Sequence, residues 1–139
     1  MLRGLVETTF LLALNPDDPN HGYAMGLLNK SRRREVELYL SSPALLELSL
    51  LLKSKGLGEA KMREVFLALE DVLSRYGVVR IACLGLRHVS FAAELREKYG
   101  LTFFDSLHAS IAVLDQLEYL DFDQTIRRIV LEEKGRSLR

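Results

Sequence analysis

Acidic residues follow two apolar runs of the sequence, at the point where each run ends. Glu7 comes directly after Leu2–Val6, and Asp121 comes directly after Leu117–Leu120, with Asp123 two positions further on. If the two runs are parallel strands of an open α/β sheet, these carboxylates lie outside the carboxyl ends of the strands, where such sheets bind ligands. Each has a local alternative: Glu7 could simply stabilise the start of a helix, by about 0.3 to 1 kcal/mol, and the two aspartates could belong to a surface loop.

Two further acids, Glu47 and Asp105, interrupt helical patterns. The neighbours of Glu47 at three and four positions along a helix are apolar, so its carboxylate would need a metal, another cation or a proton to compensate its burial. The alternative is a partly exposed position or an ion pair with a lysine. Asp105 follows Thr102 at the spacing of a helix-capping box, so a local capping role competes with a role in a site, although the two do not exclude each other.

Together, these acids point to a metal centre. Three or four carboxylates packed together repel one another and cannot all ionise unless a divalent cation neutralises them. Oxygen ligands without cysteine or an obvious histidine pair suit Mg²⁺ or Mn²⁺ rather than Zn²⁺. Such a centre serves phosphodiester hydrolysis by activating a water molecule and by stabilising charge on the phosphate and the leaving oxygen. The candidate acids are Glu7, Glu47, Asp105 and, after the last apolar run, Asp121 or Asp123.

The elements that must position these acids alternate between strands and helices. Apolar runs of four or five residues predict strands, and helical spacing predicts the segments between them. The predicted strands are Leu2–Val6, Val36–Leu40, Val78–Ala82 and Leu117–Leu120. The predicted helices cover about Thr9–Leu14, Pro19–Arg33 with Asp18 as its cap, Pro43–Gly56, Glu59–Tyr76 and Val89–Tyr99, and the last begins near Thr102. This alternation predicts an α/β fold with a central, mainly parallel sheet of four to five strands, covered by helices on both faces.

The composition predicts one soluble domain over residues 1–139. A hydrophobic share of 48% is too high for a disordered chain, and no run approaches the about 18 to 20 apolar residues of a membrane span, so we expect a cytoplasmic protein with no membrane partner. Basic and acidic residues number 19 each, so RNA binding would depend on a local patch and not on a long-range positive field. The only cysteine, Cys83, is predicted to be a small core residue.

The chain resembles the PIN domain family, and within it the VapC-type toxin ribonucleases. The family opens with a strand and an acidic triplet of the Asp-Thr-Asn type, which here is 7–9, Glu-Thr-Thr. A Ser-Pro pair followed by a leucine-rich helix with one embedded glutamate corresponds to 42–48. The most specific stretch is 93–109, which is closely similar to the segment that carries the family's third acid.

This resemblance implies a PIN-like three-layer α/β/α fold and a metal-dependent endoribonuclease that hydrolyses RNA with Mg²⁺ or Mn²⁺. It implies that Glu7, Glu47 and Asp105 bind the metal, with Thr9 orienting the first of them. For the fourth acid, Asp121 is favoured over Asp123. Proteins of this kind commonly act as the toxin of a toxin–antitoxin pair, form homodimers and are inhibited by a cognate antitoxin protein.

Two departures from the family pattern support an alternative function. Glu7 stands where the family has aspartate, and the segment 120–123 is shorter than the corresponding family segment. The alternative is a catalytically weakened or inactive PIN-fold module that binds RNA or protein. His108 lies three positions after Asp105 on the same helix face, and we expect it to be a hydrogen-bonded neighbour of the site.

Overall fold

The computed structural model describes residues 1–78 and 80–137 of the chain. Within these residues, four strands form one sheet in the order β3-β2-β1-β4, and every neighbouring pair is parallel. The strands are β1 (Leu2–Val6), β2 (Val36–Ser41), β3 (Arg80–Ala82) and β4 (Glu118–Tyr119). The helices are α1 (Thr8–Ala13), α2 (His21–Arg32), α3 (Pro43–Ser54), α4 (Glu59–Arg75), α5 (Leu86–Tyr99), α6 (Phe103–Leu114) and α7 (Gln124–Ser137). The predicted parallel sheet is therefore confirmed, although position 79 of the predicted third strand lies outside the described residues.

Helices cover both faces of the sheet, as the predicted three-layer α/β/α fold requires. Successive residues of a strand point to opposite faces, so Val6 packs into a core with buried residues of α1, α2, α3 and α4, whereas Leu5 packs with those of α5, α6 and α7. Both faces of β1 are thus buried at its carboxyl end. A residue that directly follows this strand is held in place by two cores.

The close approach of Leu120 explains why a glycine occupies the centre of β1. A Cβ atom added at Gly4 would lie 2.1 Å from Cδ1 of Leu120, which is far inside van der Waals contact. The backbone N–H of Leu120 donates to the carbonyl of Leu5 at 3.1 Å, so pairing with β1 continues beyond the end of β4. The next residue, Asp121, is therefore brought to the carboxyl end of β1.

Helix α2 begins two residues later than predicted. Asn20 is its N-cap, and Asp18 does not cap it. The Asp18 side chain instead accepts a hydrogen bond from the backbone N–H of Asn20 at 2.8 Å, which stabilises a turn before the helix. Aspartate side chains commonly accept such a hydrogen bond from the backbone two residues further along a turn.

Two other features differ from the sequence-based expectation. Helix α7 has no counterpart among the predicted elements, because its apolar stripe is short and centres on Ile126, Ile129 and Val130. Cys83 is exposed, so its predicted place in the core is wrong. It follows the last residue of β3, which lies at the edge of the sheet and leaves its far side uncovered by any described strand. Among the described residues, no helix is both long and apolar enough to cross a membrane.

Candidate metal centre

A pocket of about 460 Å³ lies where β1 and β4 end. All the acids singled out in the sequence line it, and they come from separate parts of the chain. These acids are Glu7, Glu47, Asp105, Asp121 and Asp123, and Thr9 lines the pocket beside them. The parallel sheet explains this meeting, because the carboxyl ends of parallel strands lie at one edge and the helices that follow the strands begin there.

Each acid is held by the start of a helix or the end of a strand. Glu7 follows β1 and is the N-cap of α1, where its carboxylate accepts a hydrogen bond from the backbone N–H of Thr9 at 2.9 Å. Glu47 lies in α3, which follows β2, and Asp105 lies in the first turn of α6, where the Thr102 hydroxyl accepts from its backbone N–H. The capping role expected for Glu7 therefore exists, and it coexists with a position in the pocket.

We call Glu7, Thr9 and Asp121 the Glu7 side of the pocket. Glu7 and Asp121 are buried, with exposed fractions of 4% and 6%. The Thr9 hydroxyl makes a short contact with the carboxylate of Glu7 and lies 2.5 Å from Oδ1 of Asp121. One hydroxyl carries one hydrogen, so it cannot donate a full hydrogen bond to both carboxylates at once.

Glu7 keeps a proton at neutral pH. Burial, followed by the negative charge of Asp121 and the hydrogen bond between the two carboxyl groups, raises the pKa of Glu7 to about 9. The backbone N–H of Thr9 acts in the opposite direction but is outweighed. At neutral pH the Glu7 side therefore holds a neutral carboxylic acid beside a second acid. The Tyr119 hydroxyl donates to Oδ2 of Asp121 at 3.3 Å and the backbone N–H of Phe122 donates to Oδ1 at 2.7 Å.

We call Thr8, Glu47 and His108 the Glu47 side. The Glu47 side chain is 22% exposed, and its Oε1 accepts from Nε2 of His108 at 2.9 Å and from the Thr8 hydroxyl in a short contact. Partial burial acts to raise the pKa of Glu47, but the hydrogen bonds from His108 and Thr8 outweigh it and hold the pKa below its usual value. The compensation expected for this carboxylate thus comes from hydrogen-bond donors, and Glu47 is ionised at neutral pH.

Asp105 and Asp123 occupy the outer part of the pocket. Asp105 is half-buried, and this burial raises its pKa in spite of a hydrogen bond with Thr102. Asp123 is exposed, and its Oδ1 accepts from the backbone N–H groups of Thr125 at 2.9 Å and Ile126 at 3.2 Å. These are the contacts of a helix N-cap at the start of α7. Of the two aspartates after β4, Asp121 is the one that lies against Glu7.

His108 is the residue of this pocket that the sequence indicated least clearly. Its ring is fully buried, and Nε2 lies 2.9 Å from Oε1 of Glu47 and 3.6 Å from Oε2 of Glu7. The other ring nitrogen, Nδ1, lies 2.7 Å from the hydroxyl of Ser41, which is also fully buried. The available signal was a polar residue inside the apolar stretch 106–113 of α6, since a buried imidazole needs hydrogen-bond partners.

The residues of the pocket fit a divalent cation. Potential ligand atoms of Glu7, Glu47 and His108 lie within 4.8 Å of one another, and Asp105 and Asp121 add further oxygen donors to the same pocket. Burial, followed by the charge of Asp121, raises the pKa of Glu7, and the charge of Glu47 adds to this effect. Carboxylate oxygens are the ligands that Mg²⁺ and Mn²⁺ prefer.

The acidic pocket lies outside the carboxyl ends of parallel strands, which is where open α/β sheets bind their ligands. The sequence pattern of the PIN domain family matches residues 5–131. The chain therefore belongs to the PIN domain family, whose members are generally metal-dependent nucleases that use divalent ions. The match begins two residues before Glu7 and ends within α7, so it includes every residue of the pocket. No curated protein matches the chain.

Proposed function

We propose that this protein is an endoribonuclease that hydrolyses RNA phosphodiester bonds with Mg²⁺ or Mn²⁺. The observation that carries the proposal is the acidic pocket itself, in which Glu7, Glu47, Asp105 and Asp121 share one edge of the sheet, and burial followed by the charge of Asp121 raises the pKa of Glu7 to about 9. A cation that replaces the proton of Glu7 would relieve the repulsion, and the family supplies the class of reaction.

Each acid has a distinct part in this proposal. Glu47 is the ionised ligand, already oriented by two hydrogen bonds. Glu7 and Asp121 bind the cation from the buried side, and Thr9 holds their carboxylates in place. Asp105 faces the pocket from the start of α6. When bound, a divalent cation supplies a lowered pKa for a water molecule and stabilises negative charge on the phosphate.

The biological role that we propose is that of a VapC-type toxin of a toxin–antitoxin pair. Its support is the similarity of residues 93–109 and of the acid positions to that group. The role includes a homodimer, a cognate antitoxin that inhibits it and a cytoplasmic RNA substrate. These partners rest on the resemblance alone, and the test of the enzyme below does not depend on them.

One observation favours a second candidate, a weakened or inactive PIN-fold module that binds RNA or protein. The carboxyl group of Glu7 curls back onto its own helix, where it accepts from the backbone N–H of Thr9 and makes a short contact with the Thr9 hydroxyl. A carboxylate engaged in this way is less available to a cation, and glutamate is one methylene longer than the aspartate of the family. Misplacement of a reacting group by about 1 Å can reduce a rate about 10²-fold.

The experiment compares wild type with Asp105→Asn and with the control Asp71→Asn. Asp105 lines the pocket, whereas Asp71 is an exposed aspartate of α4 that pairs with Arg75 at 3.0 Å. Mn²⁺ binding is measured by calorimetry, and cleavage of a generic single-stranded RNA is followed in the same samples. We expect Asp105→Asn to weaken Mn²⁺ binding by at least about tenfold, since even outer partners of metal ligands contribute about 10- to 100-fold.

The outcomes separate the two candidates. Binding and cleavage that fall together in Asp105→Asn but not in Asp71→Asn support the ribonuclease. Metal binding by the wild type without cleavage of any RNA supports the weakened module. A wild type that binds no Mn²⁺ contradicts the enzyme proposal.

A further inference from the structure

The buried pair of Ser41 and His108 lies behind the carboxylates of the pocket. Ser41 is the last residue of β2, and His108 lies in the second turn of α6, so the pair joins the sheet to the helix that carries Asp105. Both side chains are fully buried. Oε2 of Glu7 also lies 3.6 Å from Nε2 of His108, which is too distant for a hydrogen bond.

The position of the hydrogens follows from the acceptor on each side. Oε1 of Glu47 already accepts a hydrogen bond from the Thr8 hydroxyl, so the contact of 2.9 Å between this oxygen and Nε2 of His108 places the hydrogen on Nε2. A bare nitrogen lone pair at that distance from a carboxylate would be repelled. This holds for the neutral ring and for the charged ring, since both forms can carry a hydrogen on Nε2.

We propose that His108 is a positioning residue of Glu47 and not a metal ligand. An Nε2 atom that donates its hydrogen to Glu47 has no lone pair for a cation. In the neutral ring, Nδ1 then accepts from the Ser41 hydroxyl, and this second hydrogen bond fixes the orientation of the ring. The inference rests on the proposed function for its consequence in metal binding, but the placement of the hydrogen stands independently of it.

The consequence is a site whose protein ligands are all oxygen atoms. Such a site prefers Mg²⁺ or Mn²⁺, whereas an imidazole ligand would shift the preference towards Zn²⁺. Glu47 makes its hydrogen bond to His108 before any cation arrives, so its carboxylate is held in one orientation. His108 of α6 thereby orients the carboxylate of Glu47, which lies in α3.

The first measurement is the ¹⁵N NMR spectrum of the histidine rings in the metal-free protein at pH 7.5. His88 serves as an internal reference, because its Nδ1 accepts from the backbone N–H of Gly85 at 2.9 Å and its Nε2 lies 2.9 Å from Oδ1 of Asp115. His108 should show the same protonated Nε2 as His88. A bare Nε2 on His108 would overturn the proposal, whatever the metal does.

The second measurement compares Mn²⁺ and Zn²⁺ affinity in three variants. His108→Gln keeps an N–H donor that can reach Glu47, His108→Leu keeps only the volume, and His88→Gln is the control for a doubly bonded histidine outside the pocket. We expect His108→Gln to retain Mn²⁺ affinity within about threefold, and His108→Leu to lose about 10- to 100-fold, as outer partners of metal ligands do. The wild type should bind Mn²⁺ without a strong preference for Zn²⁺.

Other results would be equally decisive. If His108 were a ligand, His108→Gln would lose as much affinity as His108→Leu, and the loss would be larger for Zn²⁺. If the wild type binds neither ion, the proposed function fails, while the ring spectrum still tests the placement of the hydrogen. If His108→Leu does not fold, His108→Gln and the spectrum carry the test.

Discussion

The two sides of the acidic pocket hold the same residue type in opposite states. Glu7 is buried beside Asp121, and its pKa rises to about 9 chiefly through burial. Glu47 is partly exposed and accepts hydrogen bonds from His108 and Thr8, which hold its pKa below the usual value. Burial acts to raise the pKa of both glutamates, but the hydrogen-bond donors around Glu47 outweigh it and the backbone N–H that donates to Glu7 does not. One side keeps a proton at neutral pH, and the other keeps a full negative charge.

Because of this difference, cation binding requires the loss of a proton on the Glu7 side but not on the Glu47 side. Glu47 is ready to act as a ligand, because it is charged and oriented before a cation arrives. Glu7 must first lose its proton, so a cation that binds both sides releases a proton and binds more tightly as the pH rises. In the metal-free protein, ionisation of Glu7 beside Asp121 is therefore unfavourable, and a bound cation would make it favourable.

The largest effect on the free energy of unfolding should come from replacing Glu7 with a residue that does not titrate. Its pKa is raised from 4.5 to about 9 in the folded protein, so between these values the unfolded state binds fewer protons. The contribution of Glu7 to the free energy of unfolding of the metal-free protein should therefore be fully present below pH 4.5 and fall by up to about 1.4 kcal/mol per pH unit up to pH 9. Glu7→Gln mimics the protonated acid and should be more stable than wild type by several kcal/mol at pH 8.

Urea denaturation with a chelator present, at pH 5 and pH 8, measures this effect. The matched control is Glu64→Gln, which removes an exposed glutamate of α4 that pairs with Lys61 at 3.3 Å. Saturating Mn²⁺ should stabilise the wild type at pH 8, by about 2.7 kcal/mol at a hundredfold excess over Kd. A wild-type stability that is flat from pH 5 to pH 9 would show that Glu7 is ionised in the folded protein.

How much of this could be predicted from the sequence depends on how far apart the interacting residues lie. The parallel sheet and the acids at its edge follow from local patterns, such as Glu7 directly after the apolar run of β1. The state of Glu47 does not, because the donor that compensates it lies 61 positions away in α6. Its local helix neighbours suggested burial, yet Leu50 is 50% exposed. The protonation states of the acids in this pocket depend on contacts between residues that are far apart in the sequence. They therefore cannot be predicted from the residue type and its sequence neighbours.

The second effect concerns the charge that Asp121 places beside Glu7. After burial, this charge is the largest cause of the raised pKa of Glu7. Asp121→Asn removes the charge and should bring the pKa of Glu7 closer to its usual value, which reduces the loss of stability between pH 5 and pH 8 by about 1.4 kcal/mol for each pKa unit recovered. The same pH-dependent denaturation detects it. An unchanged pH dependence would mean that burial alone keeps the proton on Glu7.

The smallest effect should come from Asp123, two residues further along the chain. This aspartate caps α7 through the backbone N–H groups of Thr125 and Ile126, and it is exposed to solvent. Asp123→Ala should therefore reduce the free energy of unfolding by about 0.5 to 1 kcal/mol at every pH, because a helix cap is lost and the pKa of Glu7 is not relieved. Asp123→Asn, which can still cap, should recover most of that loss. A change in the pH dependence, or a loss of Mn²⁺ affinity as large as that of Asp105→Asn, would instead place Asp123 among the acids that bind the cation and would end the distinction between the two aspartates.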